Sequence, residues 1–207
     1  MRHPKFIYFD LGNVLLNFDH KLAFGQLAKL SGIPAKQVRQ ILLGDGLHHQ
    51  FESGQITSRQ YYERFCEVSG TRPDFDALAH AVSAIFEVNL PMMPILTHLV
   101  TARYRIGLLS NTNEMHWSYC SDGRYGFLPD LFSVLALSFK MGVSKPDAKI
   151  YHAAADMAGV APQEIFFLDD RPEHVEGARQ VGFDAVQYTS VPELVAELQA
   201  RGVRTNY

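Results

Sequence analysis

Eleven residues near the start, Phe6-Ile-Tyr-Phe-Asp-Leu-Gly-Asn-Val-Leu-Leu16, constrain the rest of the chain more than any other stretch. An apolar, aromatic and β-branched run from Phe6 to Phe9 stops abruptly at Asp10, and a glycine follows two places later. A run this short, bounded by a polar turn, fits a strand buried on both faces. Asp10 then stands at the carboxyl end of that strand, the edge at which open α/β sheets bind ligands. An aspartate after a strand also serves as a turn or N-cap residue, so this stretch nominates Asp10 without assigning it.

The remaining sequence supplies the other layers. Pro91 opens a helix carrying Met92, Ile95, Leu96 and Leu99; residues 106–109 read as a strand that stops at Ser110, and 133–137 as another. A helix follows Pro146 through Ile150 to Met157, residues 165–168 form a strand ending at Asp169, and Gly177 to Val181 lie on the next helix. Residues 185–188 give a last strand, and Ser190 with Glu193 caps the final helix. Strands alternating with helices imply right-handed crossovers and a doubly wound, mainly parallel sheet, hence an α/β fold. Residues 18–88 read differently, as nearly all helix. Leu22, Leu27, Leu30 and Ile33 mark one helix, and Val38, Ile41 and Leu42 mark a second after Pro34. Residues 44–54 read as a turn-rich break, Thr57 with Gln60 opens a helix in a capping-box pattern that Gly70 ends, and residues 78–86 predict a further apolar helix. The expected organisation is a core of residues 1–17 and 89–207, with 18–88 inserted after the first strand as a small helical cap beside the ligand edge.

Composition excludes several classes of partner. The 207 residues carry a net charge of −3 with no basic block, so nothing would neutralise a run of nucleic-acid phosphates. No apolar run is long enough to span a bilayer, and the opening residues lead into the first strand without a signal region, so the cytoplasm is the expected location. Cys66 and Cys120 lack metal-type spacing and read as idle or buried thiols.

Polar groups sit at four strand ends or their loops: Asp10; Ser110-Asn-Thr-Asn113; Lys145 in Gly142-Val-Ser-Lys-Pro146; and Asp169-Asp170. Each has an ordinary alternative, Ser110 as a helix cap, Lys145 as a solvated charge and the aspartate pair as a turn. Their joint arrival on one sheet edge points to a site. A carboxylate attacks a dianionic phosphoryl group only when the repulsion between them is offset, and Mg2+ together with one lysine does this. In such chemistry Asp10 is the nucleophile and lends an oxygen to the metal, Asp170 completes the protein carboxylates, and Asp169 supports or substitutes for it. Lys145 keeps Asp10 ionised and binds a phosphate oxygen, while the Ser110 hydroxyl and the Asn111 backbone N–H hold the others.

These residues, in this order, resemble the haloacid dehalogenase-like hydrolase superfamily over essentially the whole chain, with its four motifs at Asp10, Ser110, Lys145 and Asp169-Asp170. Phe9-Asp-Leu-Gly-Asn-Val14, Ser110-Asn-Thr-Asn113 with His116, Lys145-Pro146 followed by Ile150-Tyr151, and Phe166-Phe-Leu-Asp-Asp170 with Glu176-Gly-Ala178 look most like the bacterial α-D-glucose-1-phosphate phosphatase branch. The phosphatase domain of soluble epoxide hydrolases looks like a more distant relative. The resemblance implies a Rossmann-like core with a small helical cap, and Mg2+ bound by Asp10, Asp170 and the backbone carbonyl of Gly12. It also implies hydrolysis of a small phosphomonoester, a sugar phosphate such as glucose 1-phosphate, through an aspartyl-phosphate on Asp10; the sequence leaves monomer and homodimer both open.

Two departures from the superfamily pattern bear on that expectation. Most of its phosphatases have an aspartate two places after the nucleophile, as acid for the leaving oxygen and then base for water; here that place is Gly12. General acid–base assistance is worth roughly 10²–10⁴-fold, so another group or an easily displaced leaving oxygen, as in a sugar 1-phosphate, has to compensate. Loss of that acid also supports the alternative of a non-catalytic phosphate-binding protein on the same fold. The second departure is His174, where an Asn or Asp more often supports the metal loop. Within the inserted helices His49 and Glu52 are the expected substrate contacts, with Asn113 and His116 beside the phosphate loop; Asp19, His20 and His48 are weaker candidates.

Overall fold

A computed structural model describes residues 3–204, which form two parts in continuous contact. The first strand β1 (Phe6–Phe9) is followed by a three-residue strand β2 (Leu16–Phe18), then by helices α1 (His20–Ser31), α2 (Ala35–Leu43), α3 (Leu47–Glu52), α4 (Ser58–Ser69) and α5 (Phe75–Ser83). After β3 (Phe86–Val88) come α6 (Met93–Thr101), β4 (Ile106–Ser110), α7 (Glu114–Cys120), β5 (Val134–Leu137), α8 (Ser138–Met141) and α9 (Ala148–Ala158). The chain closes with β6 (Ile165–Asp169), α10 (Pro172–Val181), β7 (Asp184–Gln187) and α11 (Val191–Ala200).

Five strands make one parallel sheet in the order β5-β4-β1-β6-β7. The α/β reading of the sequence therefore holds, and β1 is its central strand. The side chains of β1 alternate between two cores, as a period of two requires. Ile7 and Phe9 join α6 (Ile95, Leu96, Leu99) and α11 (Leu194, Leu198) on one face. Phe6 and Tyr8 join α9 (Ile150, Tyr151, Ala154) and α10 (Val175, Ala178) on the other. Both faces of the strand are thus dry, which explains its uninterrupted apolar sequence.

The inserted helices enclose their own apolar cluster, centred on Leu27, Val38, Phe51, Phe65 and Leu78, with Met115 of α7 reaching in from the core. Asp19 is the N-cap of α1, accepting from the Lys21 N–H, and Thr57 with Gln60 forms the expected capping box on α4. Two stretches depart from the sequence reading. The apolar helix expected over 78–86 stops at Ser83, and Phe86–Val88 instead pairs antiparallel with Leu16–Phe18, so that a short ribbon carries the chain into and out of the helical block. The segment 44–54, read as a break, contains helix α3 after a 3-10 turn at Gly44–Gly46. Among the described residues no helix is long and apolar enough to cross a membrane.

Candidate active site

The sheet order reverses between β1 and β6, and the crevice left at such a reversal is where doubly wound sheets take ligands. Asp10 extends β1 into that crevice, its N–H still donating to the Leu168 carbonyl at 3.0 Å. Because Phe9 pairs with Leu168, Asp10 stands level with Asp169 on the neighbouring strand.

Lys145 joins the two carboxylates. Its Nζ donates to Asp10 Oδ1 at 2.9 Å, to Asp169 Oδ2 at 2.5 Å and to the Leu109 carbonyl at 2.8 Å. The lysine is 3% exposed, so each of these contacts acts with little solvent screening. Burial opposes its charge, but the two carboxylates outweigh burial and raise its pKa. One ammonium does not satisfy both acids equally. Burial, opposed by Lys145 and reinforced by Asp169, pushes the Asp10 carboxyl up to about 6. Asp169 is buried too, yet Lys145 and His174 outweigh that cost and hold it well below the ordinary carboxylate range.

The Asp169 carboxylate is also bound by the Arg171 N–H at 2.9 Å and by His174 Nδ1 at 3.0 Å. His174 thus does the supporting work that an Asn or Asp does at this place in the superfamily pattern. Asp170 is half-buried and accepts from Asn13 Nδ2 at 3.0 Å; Asn13 reaches it from a left-handed backbone with φ of 54°, a conformation asparagine tolerates. One carboxylate oxygen from each of Asp10, Asp169 and Asp170 lies within 4.8 Å of the others. Three hard oxygen donors against one ammonium leave excess negative charge, and this donor set suits a small divalent cation such as Mg2+.

Ser110 ends β4 and is buried, while Asn111 clamps the Lys145 backbone: its Nδ2 donates to the Lys145 carbonyl at 2.9 Å and its Oδ1 accepts the Lys145 N–H at 2.8 Å. This pair of bonds fixes the loop that delivers the lysine. Asn113 caps α7, accepting the His116 N–H at 3.0 Å, with its Nδ2 3.1 Å from His116 Nδ1. Burial, and next the charge of His48, push His116 down to about 3, so its ring is neutral.

On the helical block the structure turns His48, not His49, toward this site. Successive helical positions differ by about 100°. His49 is exposed, whereas His48 Nε2 meets Glu52 Oε1 at 3.2 Å and lies edge-on to His20 with ring centroids 5.7 Å apart. It is thus His48, rather than the expected His49, that shares a helix face with Glu52; the signal lay in Glu52 four places on, and reading it required a helix where the glycines suggested a turn. Glu52 lines a cavity of about 50 Å³ together with Gly12, Ser110 and Asn111, so it faces the loops that carry the core motifs. Leu11, Phe18 and Phe86 form the apolar wall.

Phe18 also accounts for Gly12. A Cβ placed on Gly12 would lie 2.7 Å from Phe18 Cε1, so the space an acidic side chain would need there is filled by the ring. Restoring the acid by Gly12→Asp is accordingly expected to destabilise the protein by about 1–3 kcal/mol through overpacking and to leave hydrolysis no faster. Urea unfolding checks the first part; an unchanged midpoint would show that the ring yields freely.

Comparison with known proteins agrees with this geometry. A profile of the haloacid dehalogenase-like hydrolases matches residues 4–182, and the chain belongs to that family. It is 26% identical over 190 residues to D-ribitol-5-phosphate phosphatase of Bacteroides thetaiotaomicron, spanning 88% of this chain and 91% of the relative. It is 28% identical over 184 residues to the phosphatase MT3486 of Mycobacterium tuberculosis, spanning 86% and 84%. A haloacid dehalogenase family enzyme of B. thetaiotaomicron, solved with magnesium and inorganic phosphate, matches with a TM-score of 0.81 at 25% identity, over 91% of this chain and 96% of that one. The L-2-haloacid dehalogenase of Xanthobacter autotrophicus shares the fold, with a TM-score of 0.64 at 19% identity over 98% and 85%.

Proposed function

We propose that this chain is a Mg2+-dependent phosphomonoester hydrolase acting on a small sugar or polyol phosphate. The observation that carries the reading is the buried Asp10–Lys145–Asp169 array beside Asp170: a nucleophile at a strand end, a fixed cation and spare carboxylates for a metal. Phosphatase relatives matched over most of their length support it.

Asp10 attacks phosphorus with a carboxylate oxygen, and the bond to the leaving oxygen breaks. Lys145 orients Asp10, favours its ionised form and stands ready for a phosphate oxygen. The Ser110 hydroxyl and the Asn111 N–H supply further fixed donors, which need no reorganisation as charge shifts. Asp10, Asp170 and the Gly12 carbonyl would hold Mg2+, with Asp169 anchoring Lys145 and His174 rather than adding a ligand. When bound, the metal offsets the repulsion between carboxylates and phosphate. Water then attacks the aspartyl-phosphate and regenerates Asp10.

Residues 18–88 act in this reading as a cap; Glu52 and His116 face the leaving group, with His48 held behind Glu52 and Asn113 bonded to His116. The cavity between the two parts has a volume of about 50 Å³, so in this reading cap opening widens it for a sugar ester. A sugar 1-phosphate such as glucose 1-phosphate suits a site without an acid at residue 12, while the ribitol-phosphate relative extends the class to terminal alkyl esters.

The second reading, a phosphate-binding protein without turnover, draws on Gly12 and the ring that fills its side-chain space. Phosphate release from sugar 1-phosphates, sugar 6-phosphates and pentitol 5-phosphates, each with Mg2+ and with chelator, separates the two. Chelator-sensitive release from at least one ester is expected. Binding of the esters with no release above a chelated control would establish the second reading.

A further inference from the structure

Asp10 chemistry leaves an oxygen that must take up a proton, and the usual position for a donor is closed by Phe18 over Gly12. The titratable groups that line the same cavity are His20, Glu52 and His116, with His48 hydrogen-bonded to Glu52 from behind. Burial disfavours the charged form of two of the histidines. His116 is buried and neutral, and His20 is lowered first by burial and then by His48, although Glu52 and Asp19 pull it the other way. The His48–Glu52 pair differs from both. Burial opposes charge on each member, but the 3.2 Å hydrogen bond between them outweighs burial, raising the imidazole and lowering the carboxyl. The hydrogen bond between them gives a proton a path to the carboxylate that lines the cavity.

The pair is also held in register with the phosphate loop. The Glu52 carbonyl accepts from Ser138 Oγ at 2.5 Å, and the same Oγ accepts the Thr112 N–H at 3.0 Å, two residues past Ser110. One core serine thus ties the end of α3 to the loop after β4. Backbone anchoring leaves the Glu52 carboxylate free to face the cavity while His48 sits behind it.

We propose that Glu52, recharged by His48, is the catalytic acid of this enzyme, relocated from the core to the cap. This inference rests on the phosphatase reading. In the first step Asp10 Oδ bonds to phosphorus and the ester P–O bond breaks. Its electron pair goes to the leaving oxygen, which takes the one proton of the pair: it passes from the His48 imidazolium to the Glu52 carboxylate and on to that oxygen, so Glu52 ends ionised as it began. The products are a neutral alcohol, the aspartyl-phosphate and a neutral His48. In the second step water attacks phosphorus, Asp10 leaves as carboxylate, and the proton released by the water goes back to the pair as phosphate departs as its dianion.

Leaving-group chemistry tests this on the full chain with Mg2+. 4-Nitrophenolate departs without a proton, whereas the oxygen of ribitol 5-phosphate does not. Glu52→Gln is expected to lower kcat on ribitol 5-phosphate by roughly 10²–10⁴-fold, and on 4-nitrophenyl phosphate by less than about tenfold. Equal losses on both esters, or no loss on either, would overturn the acid role. His48→Gln gives an independent reading, because the alkyl-ester activity of the variant depends on Glu52 alone. Its alkaline limb should move down by roughly two pH units, from the imidazole toward the carboxyl range, and an unmoved limb counts against the relay. If wild type releases phosphate from neither ester, the phosphatase reading itself has failed, and the acid role with it.

Discussion

Asp10→Asn is expected to cut phosphate release from every ester by about 10⁴-fold or more, while leaving the fold as stable as before. The two side chains share a shape, and the strand bond from the Asp10 N–H to the Leu168 carbonyl is main chain, so β1 keeps its place. What disappears is the lone pair that attacks phosphorus. An amide oxygen still faces Lys145, whose other contacts, to Asp169 and the Leu109 carbonyl, are untouched. Stability is not expected to fall, because burial already disfavours charge on Asp10 and the amide removes that cost. Release rates paired with urea midpoints check both halves. A variant retaining a tenth of the wild-type rate would remove Asp10 from the role of nucleophile, whereas a large loss of stability would make the kinetic result uninformative about chemistry.

The parts of this site that the sequence made legible are those set by buried strands. β1, β4 and β6 are dry on both faces, so each appears as a short apolar run, and each run ends in the polar residue that matters: Asp10, Ser110 or Asp169. Other parts depend on contacts that no local pattern announces. Leu16–Phe18 and Phe86–Val88 are three residues each and pair across the 67 residues of the helical block, too short for alternation to distinguish them from a helix end. Helix α3 is six residues between glycines, and its length hid the face shared by His48 and Glu52. The ring of Phe18 over Gly12 and the bridge from Ser138 to Glu52 and Thr112 exist only after the helical block has docked on the core. Packing periodicity therefore located the candidate site, while docking of the helical block sets which of its side chains face that site.

Lys145→Met is expected to damage stability severely, costing about 3–5 kcal/mol at neutral pH. Methionine fills a similar volume, so the loss is electrostatic: Asp10 and Asp169 would face each other in a buried crevice with His174 and main-chain N–H groups as their remaining partners. The Leu109 carbonyl would lose its donor as well. Protonating Asp10 is the cheapest relief. Its pKa, already up to about 6 with the lysine present, rises further without it. A carboxyl whose folded pKa exceeds its unfolded value stabilises the fold fully below the unfolded pKa and loses that contribution as pH rises through the folded one. The deficit of the variant should therefore be small near pH 4 and grow toward pH 8. Mg2+ offers a second check, because a cation shared by Asp10 and Asp170 offsets the same repulsion. It should raise the Tm of the variant more than that of wild type, even though phosphate release stays low without the ammonium. A deficit independent of pH and of Mg2+ would mean that Lys145 acts by packing, and that charge balance around Asp10 is kept by other groups.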